Sequence, residues 1–291
     1  MTILSVYPLP LITYAHDASA VLISDNGILY AYEEEKLSRF QHSISDFPEK
    51  STMLGLKYSQ IQLEEIQHLV IISMNNCSEQ SDYTQKVQYI KDLLSLPNDI
   101  EVDCFPHHLA HSGLAVLTSP FDECIFLTMD AGGDGLMGHW GVYKDKQFNT
   151  IEQFELSPAI FYGYVSCLAG FSFFEEGKVM GLSSYGSINK ELYGWFRKNF
   201  WIEKDNASMR ISDQIRVEWE SWLKPGLVDA DTFRRHKYFR LSVRFHDNKL
   251  SDWFTNFSPL EIAKTGQKVF EDLIIEAVSN IIRKTSIKNL V

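Results

Sequence analysis

The chain has 291 residues, 45% hydrophobic and 22% charged, with a formal net charge of −11. That length can bury a large core and suits two lobes or one large domain. The acidic balance and the lack of any Lys/Arg run argue against a general nucleic-acid or membrane-surface binder, so neither nucleic acid nor a membrane is expected as a partner.

The apolar N-terminus has no Lys or Arg before Lys36, and Pro8, Pro10 and His16-Asp17 interrupt it. It lacks the charged start and continuous apolar stretch of a secretory leader. "TILSVY" is expected to be a strand, and "ASAVLISDNGILYAYEEE" alternates around Asn26-Gly27 as a hairpin does. "FPEKSTMLGLKY" follows as a helix, and "IQHLVIISM" as a buried strand. Residues 81–95 form a second helix, with Val87, Ile90, Leu93 and Leu94 at helical spacing. "IEVDCF" is another strand, and "PHHLAHSGLAVLTSPF" the helix after it, with Pro106 suited to its first turn.

The pattern then restarts. "ECIFLTMDAGGDGLMGHWGVYKDKQFNTIEQF" contains three strands, with a glycine-rich first turn and a second near Asp145-Lys146. An insertion at about 158–257 precedes "PLEIAKTGQKVFEDLIIEAVSNIIRKT", the strongest helix, with Ser258 as its N-cap. "IKNLV" opens one more strand. "FYGYVSCLAGFSFF" at 161–174 is too short and too polar to span a bilayer. Cys77, Cys104, Cys124 and Cys167 show no CxxC spacing and are expected to be reduced thiols of a cytoplasmic protein.

The expected fold is therefore α/β, a βββαβαβα unit used twice, which is the layout of the actin-like, sugar-kinase-like ATPase fold. Residues 1–121 make the first lobe and 122–291 a second, incomplete lobe carrying the insertion. In that layout a nucleotide lies between the lobes, held by turns of the two leading hairpins.

Four places carry candidate chemistry. His107 and His111, at i and i+4, project from one helix face and can share a metal. By themselves they also read as a helix cap and a satisfied core residue. Asp130 ends an apolar strand, where a carboxylate needs a partner, commonly a cation. With the two histidines it forms a facial set suited to a divalent transition metal. Gly132, Gly133 and Gly135 let the backbone approach an anion, although a tight acidic turn would use glycine as well. His16 and Asp17, before the small residues Ala18, Ser19 and Ala20, could move a proton or make a hydrogen-bonded turn. Lys178, in "GKVMGLSSYG", suits a phosphate contact or a solvated surface, and the loop lacks P-loop spacing.

"HDASAVLISDNGILYAYEEEKLSRFQH", "HHLAHSGLA", "SPFDECIFLTMDAGGDG" and "EEGKVMGLSSYG" fall in the order and spacing of the nodulation and antibiotic O-carbamoyltransferases, which the chain resembles from about residue 11 onward. The resemblance implies ATP and an iron-type metal as cofactors, and carbamoyl phosphate with a small hydroxylated acceptor as substrates. The carbamoyl group would pass through a carbamoyl-adenylate. By position, His107, His111 and Asp130 match the metal ligands, and His16 the histidine of the transfer site. The glycine turn and the lysine loop match motifs near the nucleotide. Ser5, Gln41 and "LSSYG" stand where the family usually has glycine, lysine and "LAPYG".

Family members continue into a second, adenylate-forming domain, so this polypeptide is expected to be a fragment or one half of a split enzyme, silent until a separate chain supplies the rest. The tRNA threonylcarbamoyladenosine enzymes share the fold and metal site, but their motif pairs the second histidine of its His-His rather than the first. A non-catalytic scaffold subunit would bind neither metal nor nucleotide.

Overall fold

Leu4 and Val6 alternate on β1 (Thr2–Tyr7) and sit opposite Leu22 and Ala20 of β2 (Ser19–Ser24). All four are buried, because a period of two places every second side chain on the same face. The computed structural model describes residues 1–7, 15–43, 46–73, 80–171, 175–222 and 248–291. β3 (Gly27–Glu33) completes the leading hairpin as an edge strand. Its turn lies at Asp25-Asn26, one residue before the expected position, with Gly27 at φ +112° and a register shift at Leu22/Ile23. A bulge of this kind is how a sheet absorbs an extra residue next to a turn.

α1 (Glu35–Ser38) and α2 (Glu49–Ser59) follow. Glu34 is buried, and its carboxylate accepts the Ser51 N–H at 2.8 Å. It thereby satisfies one of the open donors at the start of α2. Gly55 of α2 lies so close to the Tyr30 ring that a Cβ would collide with it.

β4 (His68–Ser73), α3 (Gln80–Leu94) and β5 (Glu101–Pro106) extend the sheet. β4 runs parallel to β1, and β5 parallel to β4, so the strand order is β3-β2-β1-β4-β5. Leu69 and Ile71 fall opposite Leu4 and Val6 and carry the buried rows across the sheet. The succession of three strands, helix, strand, helix, strand is the one expected for the start of the chain. α4 (His107–Thr118) starts directly from the strand. Pro106 is therefore the last residue of β5, opposite Ser73, and not part of the helix's first turn.

The second sheet repeats the opening. β6 (Cys124–Gly133), β7 (Leu136–Lys144) and β8 (Gln147–Phe154) are neighbours in that order. Asp134 and Gly135 (φ +54° and +76°) join the first pair, and Asp145 and Lys146 (φ +51° and +60°) the second. Two consecutive positive φ values give the mirror-image turn that suits the twist of paired strands. The other edge of β6 is also used. Ile125 pairs in parallel with Leu290, its N–H donating to the Asn289 carbonyl at 2.8 Å, and the Leu127 N–H donates to Val291 at 3.0 Å. In place of the strand expected in "IKNLV" there is a single parallel bridge at Leu290, on the side of β6 that corresponds to β4 beside β1.

The insertion is mostly helical among the described residues: α5 (Pro158–Leu168), α6 (Glu176–Ser183), α7 (Lys190–Asn199), the antiparallel pair β9 (Phe200–Ile202) and β10 (Met209–Ile211), α8 (Asp213–Trp222) and α9 (Asn248–Phe254). α10 (Pro259–Thr285) begins with the expected cap: Ser258 Oγ accepts the Glu261 N–H, and Glu261 accepts the Ser258 N–H. Gly266 on α10 lets the helix lie against Val165 of α5. Trp140, Phe161, Tyr164, Phe196 and Phe200 fill this core.

Contacts divide the chain into two compact units. One comprises Met1–Gly113 with the turn Gly133–Gly135, and the other holds Leu114–Gly132 and the described residues from Leu136 on. Cys124 and Cys167 are free, whereas Cys104 is disulfide-bonded. This corrects the expectation of four reduced thiols. Cys104 is half-buried on the edge strand β5, where a bonding partner has access, and Cys77 lies outside the described residues. No helix among them is long and apolar enough to cross a membrane.

Candidate functional site

The i, i+4 spacing on α4 does what helical geometry requires. The Nε2 atoms of His107 and His111 face each other at 3.0 Å, with the rings at 83°. The ligand atoms of His107, His111 and Asp130 all lie within 4.8 Å of one another. Two ligands about 2.1 Å from a metal and at a right angle stand about 3.0 Å apart, which is the separation of these two nitrogens. Two imidazoles and a carboxylate therefore fit a divalent transition metal in both chemistry and spacing. His107 is 7% exposed and His108, edge-on to it at 5.2 Å, only 2%.

Asp134 holds the start of α4. Its Oδ2 accepts the His107 N–H at 2.5 Å, and its Oδ1 is buried without a hydrogen-bond partner. Burial pushes the Asp134 carboxyl up, against the opposing pull of that N–H and of His107 and His108. The sequence reading did not single out Asp134. Its one visible signal is its place in the Asp-Gly turn.

The three glycines of "DAGGDG" have different reasons to be glycine. A Cβ on Gly133 would run into the His107 ring, so its bare backbone is needed by the histidine. Gly135 supplies the positive φ of the turn. An added Cβ on Gly132 would meet nothing within 4 Å. Gly133 is thus required by the packing of the His107 ring, besides any approach to an anion. Asp130 Oδ1 accepts the Ala131 N–H at 2.6 Å, and the Asp130 carbonyl accepts the hydroxyl of buried Ser157, the cap of α5. Asp130 is thereby fixed to the helix that follows its sheet.

His16 and Asp17 form part of a second polar cluster, which the sequence did not reveal. Asp17 Oδ2 bonds His16 Nδ1 at 2.7 Å, and Oδ1 bonds His42 Nδ1 at 3.0 Å. Glu35 Oε2 accepts the His42 N–H at 2.7 Å, and Glu35 also pairs with Lys36. Burial pushes the Asp17 carboxyl up, but hydrogen bonds and charge from both histidines outweigh it and hold it far below the usual carboxylate range. Asp17, Glu35 and His42 also place ligand atoms within 4.8 Å of one another. Here the carboxylates are already committed to the bonds just described.

Lys178, on α6, is exposed, with its ammonium 2.5 Å from Glu175. This is an exposed ion pair between residues three apart in the chain.

These observations define an α/β protein with a repeated sheet opening and a His–His–carboxylate group at the start of the fourth helix. A family model described as "Carbamoyltransferase N-terminus" matches residues 80–291, more than half of the chain. The chain belongs to the carbamoyltransferase family, of which it carries this N-terminal part. It is 29% identical over 223 residues to the nodulation protein NolNO of Sinorhizobium fredii, covering 68% of this chain and 32% of that protein. It is 26% identical over 287 residues to an uncharacterized protein of Methanocaldococcus jannaschii, covering 95% of this chain and 48% of the relative. The chain thus spans less than half the length of these relatives. Among solved structures, component A of the (R)-2-hydroxyglutaryl-CoA dehydratase of Acidaminococcus fermentans superposes with a TM-score of 0.45 at 6% identity, covering 100% of this chain and 92% of that one.

Proposed function

We propose that the chain supplies the transfer site of an O-carbamoyltransferase. A carbamoyl group, activated from carbamoyl phosphate and ATP as carbamoyl-adenylate, passes to a hydroxyl of a small molecule. The observation that carries this reading is the convergence of His107, His111 and Asp130 in a chain of the carbamoyltransferase family. These three residues would hold a divalent metal, iron by the resemblance, which when bound supplies Lewis-acid polarisation of an acyl or phosphoryl oxygen.

The chain's own residues do the rest. His16 takes the proton of the acceptor hydroxyl as its oxygen attacks the carbamoyl carbon. The bond from that carbon to the adenylate oxygen breaks, and AMP leaves. Asp17 orients His16 and stabilises the imidazolium that forms, as a carboxylate behind a histidine does. The N–H groups about Gly132 and Gly135 receive phosphate oxygens, and Lys178 exchanges its Glu175 contact for phosphate. Formation of the adenylate belongs to the further domain that the resemblance assigns to such enzymes, whichever polypeptide carries it.

Metal analysis of protein purified without oxygen tests the reading. About one metal per chain is expected, lost in His107→Ala. Equal metal content in the two proteins would overturn it. If metal and a non-hydrolysable ATP analogue both fail to bind, the chain is a scaffold.

A further inference from the structure

The cluster around Asp17 contains His42, a residue with no part in the reaction just described. We propose that His42 is a positioning residue: it anchors the Asp17 carboxylate from the far side, so that this carboxylate fixes the tautomer and orientation of His16. The catalytic meaning of this role rests on the reading of His16 given above. The arrangement itself does not.

Each oxygen of the carboxylate is engaged by a different ring, His16 Nδ1 on Oδ2 and His42 Nδ1 on Oδ1. An ionised carboxylate only accepts hydrogen bonds, so each of these ring nitrogens must carry a proton. In a neutral imidazole, a proton on Nδ1 places the basic lone pair on Nε2. The bridge therefore selects the form of His16 that can accept a proton at Nε2. An imidazole left to itself in water favours the opposite tautomer.

The backbone shows that this geometry is held in place. Asp17, His42 and Ser43 all have positive φ (59°, 59° and 40°), an uncommon region for non-glycine residues, here adopted by three residues of one cluster. The Asp17 N–H donates to the His42 carbonyl at 2.5 Å, and the His42 N–H to Glu35 Oε2 at 2.7 Å. His42 is thus tied to Asp17 through both main chain and side chain. Without the His42 ring, one carboxylate oxygen loses its donor and the group can turn away from His16.

Ring nitrogen shifts of ¹⁵N-labelled histidine, recorded at a pH where the rings are neutral, report the tautomer directly and need neither metal nor activity. In the wild-type chain His16 should be the Nδ1–H form. His42→Ala should raise the Nε2–H fraction by about two- to tenfold, the equilibrium worth of one ordinary hydrogen bond. His42→Asn, whose amide N–H can replace Nδ1–H, should restore the wild-type ratio.

Asp17→Asn is the control against misfolding, because asparagine tolerates positive φ as well as aspartate does. Its amide offers one acceptor and one donor, so one of the two rings should switch to Nε2–H. An unchanged His16 tautomer in both His42→Ala and Asp17→Asn would overturn the proposal, as would a wild-type His16 in the Nε2–H form. The expected tautomers in a chain that binds no metal would uphold the positioning role while refuting the transferase reading.

Discussion

The two histidine pairs solve the same problem in opposite ways. Around Asp17 the imidazoles turn their Nδ1 atoms onto a shared carboxylate, so that donors and acceptor satisfy one another within the cluster. On α4 the Nε2 atoms of His107 and His111 turn toward each other at 3.0 Å, and the Asp130 carboxylate stands within reach of both. Two facing nitrogens need a proton or a cation between them. Both clusters contain two histidines and an aspartate, so composition does not distinguish them. The ring atom each histidine presents does.

The largest effect should come from removing a ligand of the facing pair. His111→Ala or Asp130→Asn is expected to weaken metal binding by at least about 100-fold, the upper range for losing even an outer-shell partner, as read by titration with a competing chelator. Asp17→Asn should leave metal affinity unchanged. Equal losses in all three variants would erase the contrast between the clusters.

The next effect separates two adjacent glycines. Gly133→Val should destabilise the fold by about 1–3 kcal/mol, as overpacking does, and lower metal content, because the added carbon meets the His107 ring. Gly132→Val should keep the melting temperature and lose only ATP-analogue binding. If Gly132→Val binds the analogue normally, the phosphates lie elsewhere.

Acid should distinguish the clusters more gently. The Asp17 carboxyl is held below its ordinary value in the folded chain, so its stabilisation is complete above the unfolded value near 3.8. It is lost as the pH falls through that value toward the folded one. Urea unfolding should therefore show a shallower decline between pH 6 and pH 3 in Asp17→Asn than in the wild type.

The smallest effect belongs to Lys178→Ala. An exposed pair with Glu175, three residues away, contributes about 0.5 kcal/mol or less. Read as analogue affinity, the proposed exchange of Glu175 for phosphate should weaken binding about two- to fivefold in Lys178→Ala, and an unchanged affinity would remove Lys178 from the phosphate site.

Much of the fold is legible in the chain because its signals are local. Leu4 and Val6 alternate within one strand, Val87 and Ile90 share one helical face, and Ser258 caps the helix it precedes. The metal group was partly legible for the same reason, since His107 and His111 are four residues apart. What remained hidden depends on partners distant in sequence. Gly133 is glycine because of a ring 26 positions earlier, and His42 reaches Asp17 across 25 residues. The Asp134 carboxylate receives the first N–H of a helix 27 residues before it. Pro106 was assigned to the helix because proline suits a helical start and an edge-strand end equally well.

The placement of α10 has a consequence for how the protein is made. Gly266 packs on Val165, about a hundred residues upstream, and Val165 belongs to the core that includes Phe161 and Tyr164. At roughly 5–20 residues per second, a ribosome needs about 5–20 s to carry synthesis from one contact to the other. Throughout that interval α5, which is almost wholly apolar, has no α10 to cover it. The nascent chain therefore presents that helix to the cell for seconds before its own partner emerges. Slowing translation anywhere between the two contacts lengthens that exposure without altering a single contact of the finished protein.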